Sequence, residues 1–374
     1  MKLGLLAILL LVCFPGVAGA WGELSHRAVS EAVQANLDDA TRGAIAKIVE
    51  PGQPLADGTL AELSVWPDRI KDVSKMSRKE QQAALDFNSA HPLNPSWHFV
   101  NLPLKAPGYP NLSTAKAMDP LRKFVRTDHE TGDIVQKVTD AIQILESSDH
   151  QPGWTKTQAL AWLLHLVEDL HQPLHVSSGY YRLDNNNVPR LPMLVTPAAA
   201  AQKQIACDRG GNQLQFESPP TTLHSVWDHC LAQLEVGLPC AAPSGLPGAA
   251  HSSLPGVATL AGKITAWMRD PAWSIAIPAG DHHEWARRWV TDSLHVADEA
   301  GVYRVTLTNP RTTGALVNNH PAVPCNEQGQ RIVFSISAPT VMDEYAAQFQ
   351  PVAVLQLTKA AVRLTELLKR IQWK

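Results

Sequence analysis

Trp162-Leu-Leu-His165-Leu-Val-Glu-Asp169-Leu-His171-Gln-Pro173-Leu-His175 is the densest run of chemistry in the chain. His165 and Asp169 stand four residues apart, so a helix projects both from one face, as two ligands of one metal require. Pro173 has no N–H to continue that helix and disfavours helical geometry at Gln172. The helix is therefore expected to stop there, and His175 to point back at the same cavity from another direction. At 100° per residue His171 lies roughly 240° round from His165, which marks it as structural. Glu168 is nearer the metal-facing side and reads as a solvated or supporting carboxylate.

Outward from this stretch, helical periodicity dominates. Ser25 is a candidate cap for a helix carrying Val29, Ala32, Val33 and Leu37, and Thr41–Val49 reads as a short helix. Further helices are expected at Thr59–Val73, Ser77–Phe87, Thr114–Val125, Asp133–Ser147, Thr155–His171, Thr222–Val236, Leu254–Met268, Asp281–Val302 and Ala346–Gln372. Only Val302–Leu307 and Arg331–Ile336 alternate as strands do. Ser177–Gln204, Pro239–Gly256 and Asn309–Gln330 read as surface loops. These interrupt the helices without a shift in composition, which favours one all-α domain over two.

The composition of the 374 residues is that of a folded chain, with 45% hydrophobic and 18% charged residues. A net charge of −3 excludes a broad polycationic surface, and 15 His invite a search for a metal site. Lys2, the short apolar run Leu3–Val12 and Ala18-Gly19-Ala20 read as an export signal cleaved after Ala20, leaving residues 21–374 as the working domain. The run is too short to span a membrane. Cys207, Cys230, Cys240 and Cys325 then remain; they allow two disulfides in three pairings, and none forms a CxxC motif. Asn111-Leu-Ser113 is a formal glycosylation sequon.

Other fragments have metal-site character. His224 and Asp228 repeat the four-residue spacing, which also occurs at His129–Asp133 and His295–Glu299. Trp66-Pro-Asp68 sets an acid among apolar neighbours, where an unpaired carboxylate is costly to bury. Trp97-His98-Phe99 sets an imidazole in an apolar run.

Trp21-Gly at a cleaved N-terminus, His26, Trp66-Pro-Asp68, Trp97-His98-Phe99, the His165-to-His175 stretch, Asp208-Arg-Gly-Gly-Asn212 and His224-x3-Asp228 succeed one another in this order. Together they resemble the zinc-dependent single-strand nuclease and 3′-nucleotidase family, the class I nucleases, which is related to zinc phospholipase C. The resemblance runs from Trp21 to about Asp228. It implies one large all-α domain with long surface loops and at most a small β-hairpin. It implies three Zn²⁺ per chain. Asp68, His98, His165 and Asp169 would hold the first, and His175, His224 and Asp228 the second. The α-amino group and carbonyl of Trp21, with His26, would hold the third, Asp169 bridging it to the first. Imidazole and carboxylate are ordinary zinc donors.

The resemblance also implies a function. Zinc-activated hydroxide would attack phosphorus in single-stranded DNA, RNA or 3′-nucleotides, giving 5′-phosphorylated products or free phosphate. Lys71, one turn beyond Asp68, is either a transition-state stabiliser or a solvated lysine. Phe99 either stacks on a base or packs in the core. Asn101 stands where many relatives carry an acid, and Asn212 could meet a base edge. The segment between His175 and Asp208 is long and either overhangs the site or is a plain loop. Localisation is expected to be secreted or periplasmic, with no stable membrane association and no protein partner. The rival readings are a zinc phospholipase C acting on lipid headgroups and a zinc-binding protein without turnover.

Overall fold

The computed structural model describes residues 21–49, 59–104, 132–149, 153–183, 189–190, 205–217, 220–240, 254–313, 331–336 and 342–374. Residues 1–20, the Asn111 sequon, the expected helix Thr114–Val125, His129 and Cys325 lie outside these. Eight helices of ten residues or more dominate the described chain. They are α1 (Glu23–Asn36), α2 (Asp39–Ile48), α3 (Arg78–Ala90), α4 (Ile134–Glu146), α5 (Lys156–Asp169), α6 (Val257–Arg269), α7 (Trp285–Glu299) and α8 (Met342–Arg370). The all-α expectation holds.

Local chemistry explains the boundaries. Thr155 and Gln158 form a capping box at the start of α5, and Ser77 and Glu80 form one at α3. Asp38 and Asp133 cap α2 and α4. The run expected as one helix over Thr59–Val73 is two short pieces, Leu60–Ser64 and Trp66–Arg69. Pro67 explains the break, since its ring opposes an upstream carbonyl and it donates no hydrogen bond. The cap expected at Ser25 does not form. Helix α1 starts at Glu23 behind Gly22, and Ser25 is buried within it. Gly22 N–H is drawn to the Asp228 carbonyl at 2.6 Å, which fixes where the chain enters the helix.

Helix α5 is the axis of the fold. Every residue from Ala159 to Asp169 is buried, as expected for a helix apolar on nearly all sides. It packs on α4 and α8, and α1 packs on α6 and α8. Leu160, Leu163, Leu164 and Leu166 are fully buried, each contributing roughly 1.5–3 kcal/mol. That gain offsets the cost of drawing His165, Glu168 and Asp169 into the interior with them. As Pro173 implies, α5 ends at Asp169, Gln172 is extended and a new short helix runs Pro173–Val176.

The strands exceed a single hairpin. A parallel pair joins β1 (Leu102–Pro103) to β2 (Ser177–Ser178). A three-stranded sheet has the order β4 (Pro189–Arg190), β3 (Tyr180–Leu183), β5 (Ile205–Cys207). A four-stranded sheet has the order β7 (Pro220–Thr222), β6 (Leu214–Glu217), β9 (Arg331–Ile336), β8 (Leu307–Thr313). Strand β9 lies as expected, but its antiparallel partner is β8 rather than Val302–Leu307. Val302, Tyr303 and Val305 are instead drawn into the core after the turn that ends α7. The segment expected as a loop from Ser177 begins as β2 and β3. Cys230 and Cys240 form a disulfide, and Cys207 is disulfide-bonded as well.

His171 is structural, as its angle on the helix implies. Its Nδ1 donates to the Val167 carbonyl at 2.7 Å, and its Nε2 accepts from Arg363 at 3.0 Å. Arg363 in turn pairs with Asp292 at 2.8 Å. Burial, and then the Arg363 guanidinium, push the His171 imidazole below its ordinary value of 6.5. The unfolded chain therefore takes up this proton first, so the contribution to stability is present above about 6.5 and is lost as pH falls. Each pH unit below that value should remove up to about 1.4 kcal/mol for this one group. Urea unfolding of wild type and His171→Gln at pH 7, 6 and 5 should give a shallower decline in the variant; parallel declines would contradict this role for His171.

Candidate metal centre

Five parts of the chain supply the centre. Helix α5 brings His165 and Asp169, and the turn after it brings His175. The short helix Trp66–Arg69 brings Asp68, the turn Asn94–His98 brings His98, and α1 brings His26. His224 comes from the short helix Leu223–Ser225, and Asp228 from the wider turn Val226–Cys230 beyond it. Single π-type turns of this kind often mark functional sites.

Their atoms converge. Asp169 Oδ2 is 3.1 Å from His98 Nδ1, 3.2 Å from His165 Nε2 and 3.7 Å from His175 Nδ1. Asp68 Oδ1 lies 3.8 Å from His165 Nε2 and 3.9 Å from His98 Nδ1. His224 Nε2 and His175 Nε2 reach the two oxygens of Asp228 at 3.2 and 3.6 Å, their rings stacked. Asp169 Oδ1 turns the other way, 3.5 Å from His26 Nε2. Asp169 thus touches imidazoles on both of its sides.

The donors are aimed by carbonyls. His165 Nδ1 donates to Ser64 C=O at 2.7 Å, His175 Nδ1 to His98 C=O at 2.8 Å, and His224 Nδ1 to Gly210 C=O at 2.6 Å. Each contact holds the proton on Nδ1 and leaves the Nε2 lone pair facing inward. His26 is aimed by Glu168 Oε2 at 2.6 Å, and Ser30 donates to the other oxygen of Glu168. Glu168 is therefore a buried support rather than a solvated carboxylate.

These residues fit a metal. His26 Nε2, His175 Nε2 and Asp169 Oδ1 are buried without a hydrogen-bond partner among the described residues, an expensive state for polar atoms. Two ligands of a tetrahedral zinc, each at about 2.0–2.2 Å, stand about 3.3–3.6 Å apart. The contacts of His26 with Asp169 and of His175 with Asp228 fall in that range. The electrostatics agree. Burial raises the Asp68 carboxyl, but Lys71, His165 and His98 outweigh it and hold the group well below the carboxylate range. His165 and His175 do the same for buried Asp169. Burial and then Lys71 push His98 down to about 3. Burial would lower His26, yet the Glu168 and Asp169 carboxylates raise it to about 10. The centre keeps its carboxylates ionised and attracts positive charge.

Other expected residues are placed around this core. Lys71 Nζ lies 2.7 Å from Asp68 Oδ1, so it is an ion-pair partner at the site and not a solvated lysine. Phe99 is half-buried beside the buried Trp97, His98 and Val100. Asn101 is buried in the left-handed region at φ 53°, its Oδ1 accepting from Ser178 at 3.4 Å. Asn212 donates to the Arg209 carbonyl at 2.9 Å, which makes it a brace of its own turn. Trp21 is fully buried against Trp227, and Gly22 ties this N-terminal segment to Asp228. His295–Glu299 joins none of the metal-ligating clusters among the described residues.

Sequence reasoning missed Ser30, the contact of Gln172 and the role of Asp208 in holding the Gly210-Gly211-Asn212 turn. Gln172 Nε2 donates to Asp228 Oδ1 at 2.8 Å. Buried Asp208 accepts from Gly179 N, Gly211 N and Tyr181 OH. Gly210 and Gly211 are a usable signal for that turn. Which histidine it serves is not in the sequence.

Residues 21–372 match the family model of S1/P1 Nuclease. The chain belongs to the S1/P1 nuclease family. It is 23% identical over 226 residues to Endonuclease 2 of Arabidopsis thaliana, covering 60% of each chain. With Endonuclease 3 of the same plant the identity is 25% over 235 residues, covering 62% of each. The matches thus span about 60% of the length of these curated relatives.

Gly210 gives a direct test of the support. Its φ is +66°, and a Cβ there would stand 2.2 Å from the Leu174 carbonyl oxygen. Gly210→Ala should cost about 1–3 kcal/mol and shift the carbonyl that holds His224. Denaturant unfolding with zinc analysis checks this; unchanged stability and metal content would mean that the turn yields freely.

Proposed function

We propose that the chain is an exported tri-zinc phosphoesterase. In this reading it hydrolyses single-stranded DNA and RNA to 5′-phosphorylated products and removes phosphate from 3′-nucleotides. The observation that carries it is the placement of Asp169 between His26 on one side and His98 and His165 on the other, beside a second group of His175, His224 and Asp228. Family membership supports the nuclease chemistry. The absence of thiolate from the donor set suits catalytic zinc.

The first zinc is assigned to Asp68, His98, His165 and Asp169, and the second to His175, His224 and Asp228. The third is assigned to His26, the main chain of Trp21 and a shared Asp169. Zinc bound there supplies Lewis-acid polarisation of phosphoryl oxygens and an acidified water. The chain's own residues do the rest. Ser64, His98 and Gly210 carbonyls keep three imidazoles in the donor tautomer. Lys71 holds Asp68 ionised and places a positive charge where a phosphodiester's negative oxygens would approach. Phe99, half-buried next to His98, is assigned to stacking on an unstacked base, a contact that tolerates any sequence. Residues 1–20 are assigned to export; their removal after Ala20 would free the Trp21 amine, which binds a metal as an amide nitrogen cannot.

Asp169→Asn should damage the centre more than Asp228→Asn, because it removes charge shared by two ions. Metal counts and rates on single-stranded DNA should show loss of two zincs against one. Loss of a single zinc in both variants would argue against a shared Asp169.

The function itself is tested by zinc analysis of the chain beginning at Trp21, together with an activity panel. Acid-soluble nucleotide should be released from single-stranded DNA and RNA, and phosphate from 3′-nucleotides. Phosphocholine release from phosphatidylcholine without nucleotide release would make the chain a phospholipase C. Bound zinc without any hydrolysis would make it a zinc-binding protein.

A further inference from the structure

A second group of metal-ligating side chains lies at the opposite end of α5. Glu146 closes α4, and His282 and His283 form the turn that precedes α7. His282 Nε2 is 2.9 Å from Glu146 Oε1, and His283 Nε2 is 3.0 Å from Glu146 Oε2. One carboxylate therefore receives two imidazoles, one on each oxygen, with the ring centroids 4.5 Å apart. Asp281 holds this turn by accepting the His283 backbone N–H at 3.0 Å, and its Oδ1 lies 4.0 Å from His282 Nδ1. The C-terminal segment joins through Gln372, whose N–H donates to Glu146 Oε1 at 3.0 Å.

The place is distinct from the centre around Asp169. Lys374 N–H donates to the carbonyl of Leu145, the neighbour of Glu146, and the Lys374 carbonyl accepts from Lys156, the first residue of α5. His165 and Asp169 are nine and thirteen residues farther along that helix, roughly 13–20 Å at 1.5 Å per residue.

We propose that Glu146, His282 and His283 bind a divalent transition metal of the zinc class, at a site independent of the catalytic centre. One ligand atom from each of the three residues lies within 4.8 Å of the other two. The N···O separations of 2.9 and 3.0 Å need open by only a few tenths of an ångström to reach the edge of a zinc tetrahedron, about 3.3 Å. Neutral imidazole and carboxylate are matched to zinc rather than to calcium or magnesium. The Glu146 carboxyl is available as an anion: burial raises it, but the Gln372 N–H and the two imidazoles outweigh that and lower it. The side chains of Glu146, His282 and His283 are 16, 15 and 26% exposed, so an ion can enter and water can complete its coordination. A bound ion would tie the end of α4, the start of α7 and the segment after α8 into one joint.

The test is a difference in metal content and needs no assay of catalysis. Wild type, Glu146→Gln and the double variant His282→Asn/His283→Asn are dialysed against the same micromolar zinc, and bound zinc is counted by atomic emission. Wild type should hold one zinc per chain more than either variant, whatever number the catalytic centre retains. Equal counts would overturn the proposal. Should the variants fail to fold, the wild-type chain suffices: diethylpyrocarbonate labelling of the peptide containing His282 and His283, with and without zinc, is read by mass spectrometry. Protection by zinc supports the site, and undiminished labelling sinks it.

Discussion

The interaction on which the structure depends is the burial of Asp169 at the end of a mostly apolar helix. A carboxylate in that position is tolerated only when positive charge or hydrogen-bond donors surround it. Four imidazoles supply the surroundings here, from α1, from the segment before β1, from α5 itself and from the turn after it. Packing the leucines of α5 and placing its carboxylate are one event. The apolar residues drive the helix inside, and the histidines of its neighbours make the polar end acceptable there.

The same logic extends outward. Buried imidazoles would be free to turn over unless something fixed each ring, and backbone carbonyls do most of that fixing. Those carbonyls are themselves held by unusual backbone. Ser64 ends a helix cut short before Pro67, and Gly210 sits in a left-handed turn built around buried Asp208. These two irregular features lie where they orient clustered imidazoles, while the regular helices carry most of the buried core among the described residues. On the far side of α5's last turn, His171 closes a separate network with Arg363 and Asp292, so one face of this segment joins the imidazole–carboxylate cluster and the other holds the helices together.

Much of this is legible along the chain. Spacing puts His165 and Asp169 on one face, Pro173 ends the helix, and the angle from His165 to His171 separates a site residue from a structural one. Those inferences need only helical geometry and the missing N–H of proline, which are local properties. The order of the motifs carries the family resemblance, and the side chains it implies as ligands lie together in the cluster.

Contacts between distant segments are not legible in this way. Glu168 could be solvated or supporting by sequence, and only the meeting of α5 with α1 makes it the partner of His26. Lys71 is ambiguous until the short helix Trp66–Arg69 places it against Asp68. The strand partner of Arg331–Ile336 is not Val302–Leu307, which alternates as a strand does, because the apolar residues there have a better place in the core. The joint between Glu146 and His282–His283 has no signal in the chain, since Glu146 and His282 are 136 residues apart. Sequence determined most of the described helices, the stop ahead of Pro173 and the residue types of the cluster, because those properties arise from backbone geometry within a few residues. Tertiary structure alone decided which atoms meet, because a buried charge is satisfied through space, by whichever partner the packing brings within about 3 Å.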